Sequence, residues 1–332
     1  MRQSCRLRCD AEWPDSQLED EMTISSKALE TPLVIEAAIT PLRAGQPLQT
    51  TEQMISESLA CLDAGATVIH HHHDFRLPRE EAIEQIITVS TEILAAFPHA
   101  LVYSDYLRGG EEDEKIGRRY EPDAIIRPLH AAGVLRMFAL DPGLTLFPRL
   151  DEHGLPSTSV TGGTRYAEAT AIVELGCRIG VPISLGVYEP GQLRWVRAYA
   201  QAGKLPSGSM IKIYFGGEYV MGQHRVPGVA FGLNPTPEAL DMYLSMMDGI
   251  DTPWIVSVQG GVILDKPLAR YVLERGGHIR VGVEDTAGGT EMTNRQTVEA
   301  AVALAKQIGR PLARGPEALQ TLSGTPAGAI AA

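Results

Sequence analysis

From residue 33 onward the chain repeats one unit: a short apolar run, then a longer stretch of helical periodicity. The apolar runs are 33–39 (LVIEAAI), 66–72 (ATVIHHH), 100–105 (ALVYSD), 134–140 (VLRMFAL), 182–188 (PISLGVY), 209–215 (SMIKIYF), 253–259 (PWIVSVQ) and 278–283 (HIRVGV). Near-continuous apolar character marks strands covered on both faces, as in a parallel sheet wrapped by helices. The first helix opens at Thr50-x-x-Gln53, a capping box, and carries Met54, Ile55, Leu59 and Leu62 on its apolar side. Further helices are expected over 79–96, 122–132, 164–179, 190–202, 236–248, 266–275 and 294–307. Gly65, Gly133, Gly180, Gly276 and Gly277 precede strands, where a helix ends and the chain turns back.

Eight such units over about 275 residues, about 34 each, match a closed (β/α)8 TIM barrel. A doubly wound open sheet would carry G-x-G-x-x-G after an early strand, whereas the first turn reads TPLRAG. Residues 32–332 are therefore expected to be a single barrel-shaped catalytic domain. Residues 1–31 have little periodicity and are expected to be a poorly ordered leader, with Met22 an equally good initiator. The longest irregular stretches, 106–120, 141–163, 216–235 and 284–293, all follow strands and so fall on the rim where barrels bind substrates. The stretch 216–235, rich in glycine, is a candidate lid or an ordered surface excursion.

Charge narrows the partners. Lysines and arginines number 29 against 41 acids, a net charge of −12, which excludes nucleic acid or an anionic membrane as the default partner. No apolar run is long enough to span a bilayer, and the amino terminus lacks the apolar core of a secretory signal. Cys5, Cys9, Cys61 and Cys177 are too few and scattered for a disulfide framework, so a cytoplasmic location is expected. Cys5 and Cys9 without a second pair read as bystanders rather than metal ligands.

The segment Gly65-Ala-Thr-Val-Ile-His-His-His-His-Asp74 carries the most chemistry. Side chains alternate along a strand, so His70 and His72 share one face and His71 and His73 the other. Two imidazoles side by side at an inward-facing strand end suit a divalent metal; the bland reading is a pair of polar rim histidines. The last strand runs into Glu284-Asp285, where Glu284 can complete a His, His, carboxylate set that leaves positions open for water and substrate. Zinc is the expected ion, although this donor set also suits iron or manganese. Arg280, four residues before Glu284, can pair with Asp285 or hold an anionic ligand.

Five strings carry a wider likeness: EAAIT (36–40), GATVIHHHHD (65–74), VYEPG (187–191), GGHIRVGVEDT (276–286) and IGRPLA (308–313). In this order they resemble the β-keto acid cleavage enzyme family over nearly the whole chain from about residue 33. The resemblance implies a zinc-dependent barrel assembled as a homo-oligomer, commonly a tetramer, with the metal on His70, His72 and Glu284 and with Asp285 and Arg280 in catalysis. It implies a reverse-Claisen-type exchange in which a β-keto acid and acetyl-coenzyme A become acetoacetate and a new acyl-coenzyme A. Residue types fit that chemistry. A metal polarises the keto group, Asp285 is suited to take the α proton, and Arg280 would orient Asp285. A hydrogen-bond donor must meet the oxyanion formed on the thioester, and Ser104 at the end of the third strand is the candidate.

Departures from the family pattern bear on substrate. Arg43 stands where the family member acting on 3-keto-5-aminohexanoate has a glutamate suited to an amino group, Asp74 where the family often has arginine, and Ala139 and Asp141 where that member has Thr and Asn. Arg43 would repel an ammonium, so the preferred keto acid is expected not to be 3-keto-5-aminohexanoate but one with an anionic or hydroxylated tail. Alternatively Asp74 neutralises Arg43 and leaves an uncharged pocket. Arg43, Asp141, Tyr188 and Glu189 are the candidate substrate-binding residues, and Arg225, Lys266 and Arg270 the candidate cations for coenzyme A. Two other functions compete: a zinc hydrolase on the same barrel, which would turn over without acetyl-coenzyme A, and a non-catalytic metal-binding barrel. Against the hydrolase, His99, His130, His153, His224 and His278 do not occupy strand ends in the expected pattern.

Overall fold

A strand covered on both faces must pack apolar side chains in two directions, and the eight apolar runs do so in the computed structural model, which describes residues 26–42, 48–105, 123–220, 222–228 and 231–324. In chain order the strands are β1 Ile35–Ala38, β2 Val68–His71, β3 Leu101–Ser104, β4 Phe138–Leu140, β5 Gly143–Leu150, β6 Pro156–Thr164, β7 Ile183–Val187, β8 Met210–Gly216, β9 Trp254–Gln259 and β10 His278–Val281. Eight of them form one parallel sheet in the order β3-β2-β1-β10-β9-β8-β7-β4. Pairing of β1 with β10 joins the two ends of the chain, and β3 and β4 flank the one junction without a ladder. With helices alternating between the strands, this is the nearly closed parallel barrel of the (β/α)8 fold.

Outward residues such as Ile35, Ile69, Val102, Ile183, Ile211, Val256 and Ile279 pack under the helices. Each buried side chain of this size contributes about 1.5–3 kcal/mol. The helix Thr51–Ala64 has the expected capping box, with Thr50 and Gln53 satisfying each other's backbone N–H groups. Inside the barrel a separate apolar layer of Val34, Val68, Leu101, Met137, Met210 and Ile255 forms the floor. Ala313 and, from the C-terminal helix Glu317–Leu322, Ala318 and Leu322 plug it from below.

Three departures from the sequence reading stand out. The stretch 141–163, expected to be irregular, contains the antiparallel ribbon β5–β6; its strands alternate too weakly in polarity to signal themselves, and Leu144 and Leu146 are exposed. The run 134–140 is a strand only at Phe138–Leu140. The helix Glu317–Leu322 lies beyond the last helix anticipated. Of the 1–31 leader, only its end is described, with a short helix at Ser26–Glu30. Four of the five glycines placed before strands have positive φ; the exception, Gly277, lies where a Cβ would strike the Trp254 ring. No helix among the described residues is long and apolar enough to cross a membrane.

Candidate metal centre and active site

Register decides which side chains meet inside the barrel. Glu36 pairs with Arg280 and Val68, and His70 with Ala38 and Tyr103, so these residues share the inward parity. Above the apolar floor lies a buried polar layer. Glu36 Oε1 accepts from Tyr103 Oη, Lys212 Nζ and Arg280 Nη1, each at 2.7 Å. Lys212 Nζ also hydrogen-bonds Tyr103 Oη. Burial alone would raise the Glu36 pKa, but Lys212 and Arg280 outweigh it and take the group down to about 2. Lys212 moves the other way: burial lowers its pKa against the pull of Glu36.

One level higher, at the strand ends, His70, His72 and Glu284 converge. Their ligand atoms lie within 4.8 Å of one another and all three residues are buried. His70 Nε2 is 3.3 Å from His72 Nε2, and Glu284 Oε1 is 3.4 Å from the first and 3.1 Å from the second. Bonds of about 2.0–2.1 Å at tetrahedral angles would separate neighbouring donors by about 3.3 Å. The three edges therefore fit one cation. Glu284 Oε2 and His70 Nδ1 have no hydrogen-bond partner among the described residues. Burial disfavours charge on Glu284, yet His70, through its ring N–H, and the Arg280 guanidinium hold its carboxyl well below the usual range. Burial lowers the His70 pKa, as suits a neutral ligand. Asp105 Oδ2 lies 3.2 Å from His72 Nδ1, the carboxylate–imidazole arrangement that orients a ligating histidine.

Arg280 ties the two levels together. Besides Glu36, it donates from Nη2 to Glu284 Oε1 at 2.5 Å and from Nε to Asp285 Oδ2 at 2.7 Å. Ser257 Oγ donates to Asp285 Oδ2 at 2.5 Å. The chain reaches this geometry through Gly282, whose φ is +121° and where a Cβ would lie 2.1 Å from the Ala38 carbonyl oxygen. Only glycine lets β10 pass β1 so closely before delivering Glu284 and Asp285.

His70, His72, Glu284, Asp285 and Arg280 are thus brought together. Asp141 and Tyr188 also reach the mouth: Asp141 Oδ1 fills the space above Gly186, 2.0 Å from where a Cβ there would sit. Tyr188 stacks on Tyr214 with centroids 4.5 Å apart. Ser104 does not join them. It is in register with His71, on the outward parity, and lines a small cavity with Ile125, Ile126 and Leu129; its hydroxyl donates to the Asp105 carbonyl at 3.2 Å. A shift of one residue along a strand reverses the face, and the inward residue of this strand is Tyr103. Glu189 caps the helix Pro190–Gln201 and accepts from Gly232 N–H at 3.0 Å, a structural use of its carboxylate. Arg43 lies outside the described residues, and the Asp74 carboxylate is held by Arg76. Each of the three cations suggested for coenzyme A already has a partner: Arg225 pairs with Glu291, Lys266 with Glu218 and Arg270 with Glu274.

Sequence reasoning missed Glu36, Tyr103, Lys212, Asp105 and Ser257. A signal existed for two: Glu36 in LVIEAAI and Lys212 in SMIKIYF are lone charges in otherwise apolar strands, and a charge buried there needs a partner.

The model of the beta-keto acid cleavage enzyme family matches residues 32–323. The 3-keto-5-aminohexanoate cleavage enzyme of Acetoanaerobium sticklandii is 25% identical over 279 residues, which cover 82% of this chain and 89% of that enzyme. Among solved structures, apo ObcA superposes with a TM-score of 0.54 at 12% identity, over 83% of this chain and 64% of that one. The ternary complex of ObcA with a C4-CoA adduct and oxalate gives a TM-score of 0.54 at 12% identity, over 83% of this chain and 66% of the other. The chain thus spans somewhat under two thirds of ObcA, and at this identity the likeness is one of fold.

Proposed function

The chain belongs to the beta-keto acid cleavage enzyme family, and from that premise we propose that it converts a β-keto acid and acetyl-coenzyme A into acetoacetate and a new acyl-coenzyme A. The observation that carries this reading is the convergence of His70, His72 and Glu284 beside an Asp285 gripped by Arg280. His70, His72 and Glu284 would hold a divalent cation, zinc by its preference for nitrogen and oxygen donors at tetrahedral spacing. When bound, the cation supplies Lewis acidity that lowers the cost of removing a proton α to the keto group.

The chain's own groups do the rest. Asp285 takes a proton from the carbon between the keto and carboxylate groups, and Arg280 and Ser257 fix its direction. That carbon then attacks the thioester carbonyl of acetyl-coenzyme A, and the coenzyme A thiolate leaves. The thiolate returns to the original keto carbon, the bond between the two acyl halves breaks, and the departing carbon recovers its proton from Asp285. The products are acetoacetate and the new thioester, with no net redox change. Asp141 and Tyr188 border the substrate at the mouth, and Arg43 disfavours an amino-bearing tail, so 3-keto-5-aminohexanoate is not the preferred substrate. The enzyme works in the cytoplasm as a homotetramer in this reading.

The test is a panel of β-keto acids incubated with and without acetyl-coenzyme A, followed by chromatography of acyl-coenzyme A species. New thioester and acetoacetate in equal amounts, only when acetyl-coenzyme A is present, support the reading. Keto acid consumption without acetyl-coenzyme A would point to a hydrolase and end it.

A further inference from the structure

With Ser104 turned outward, Gln259 is an inward-parity polar residue at the barrel mouth whose side chain has no role in the site described above. Gln259 is the last residue of β9, two positions beyond Ser257 on the same parity and in register with Gly216 of β8. The strand beside it on the other side is β10, which leads to Glu284 and Asp285. Gln259 is only 6% exposed, and its Oε1 has no hydrogen-bond partner among the described residues. Gly216 offers no side chain to fill the inward space next to it. A buried amide oxygen left unpaired costs about 1–3 kcal/mol, so its retention at a mouth lined by the metal site calls for a partner that arrives with the ligand.

We propose that Gln259 is a specificity-determining residue whose side-chain amide receives a hydrogen bond from a neutral donor, a hydroxyl, on the tail of the β-keto acid. The inference rests on the β-keto acid cleavage reading and adds the substrate class to it. A neutral amide matches a neutral donor: an ammonium given one amide oxygen in exchange for its hydration shell would be destabilised. A pocket with a buried acceptor rejects a substrate lacking the donor, because binding then seals the acceptor away from water as well. The donor could instead belong to the pantetheine arm of coenzyme A; the position beside Glu284 and Asp285, where the keto acid is activated, favours the tail.

The experiment compares 5-hydroxy-3-ketohexanoate with 3-ketohexanoate at fixed acetyl-coenzyme A, in the wild-type holoenzyme and in Q259M and Q259L. Wild type should favour the hydroxylated acid at least about tenfold in kcat/KM. In both variants the ratio should fall to near one through loss on the hydroxylated acid alone, with metal content and melting temperature retained. A wild-type ratio near one, a ratio that survives substitution, or a loss shared equally by both acids with a raised KM for acetyl-coenzyme A would overturn the assignment. If neither acid yields a new thioester while other β-keto acids do, this inference fails and the parent reading stands; if no β-keto acid does, the parent reading fails first.

Discussion

Arg280 donates to Glu284, four residues later in the chain, at 2.5 Å, so the guanidinium that clamps the proposed base also fixes the carboxylate of the candidate metal site. One buried cation therefore couples the orientation of Glu284 to that of Asp285 and, through Glu36, to the polar layer beneath. Burial opposes its charge, but Asp285, Tyr214, Glu284 and Glu36 push its pKa well above the ordinary value.

Removing that cation leaves three carboxylates without their shared partner. R280M is expected to destabilise the protein by about 3–5 kcal/mol, the cost of breaking a buried charge pair from one side. R280K keeps the charge without the fork, and should retain the fold while losing about 100-fold or more in kcat. Urea denaturation and steady-state kinetics on the two variants check this; an R280K enzyme near wild-type activity would contradict it.

Asp105 should act through the metal site without joining it. D105N, which weakens the hold on His72 Nδ1, is expected to lower metal affinity about 10–100-fold. H72A should abolish tight binding. Chelator competition followed by elemental analysis separates the two, and equal affinities for D105N and wild type would remove Asp105 from this role.

Glu36 and Lys212 should behave as one unit. Their 2.7 Å contact is fully buried, so each single change, E36Q or K212M, strands the other charge and should cost about 3–5 kcal/mol. The double variant E36Q/K212M should be less destabilised than the sum by about 0.5–3 kcal/mol. Strict additivity in denaturation experiments would show that the pair is not coupled.

His278, at the far end of β10 from the metal site, gives an acid-stability prediction. Burial first, and then Arg310, lower its pKa well below 6.5, and Val34 N–H donates to its Nδ1 at 3.1 Å. Below pH 6.5 the unfolded chain takes up a proton at this imidazole while the native chain does not. Stability is therefore lost as pH falls from 6.5 toward the native pKa, by about 1.4 kcal/mol per pH unit for this group. H278N keeps an acceptor for Val34 and removes the titration, so its stability should decline less steeply over that range. An unchanged slope would count against a neutral buried His278.

The eightfold relay and the two histidines sharing a face were legible along the chain. Both depend on local periodicity: a strand alternates faces with period two, and a helix repeats every 3.6 residues. Glu284 was legible too, as a carboxylate just beyond the last strand and four residues after Arg280. The outward face of Ser104 was not legible, because its strand offers Tyr103 and Ser104 as successive polar-tipped residues, and nothing local says which of the two points inward. Pairing with β2 decided it. The bond between Glu36 and Lys212, 176 residues apart in the chain, arises only when β1 and β8 face each other across the closed barrel. Sequence alone determined the alternation of the eight barrel strands with their helices and the residue types of the candidate metal site, because these follow from neighbours a few residues apart. Tertiary structure decided which charges share an interior, because strand register and barrel closure are properties of the whole sheet.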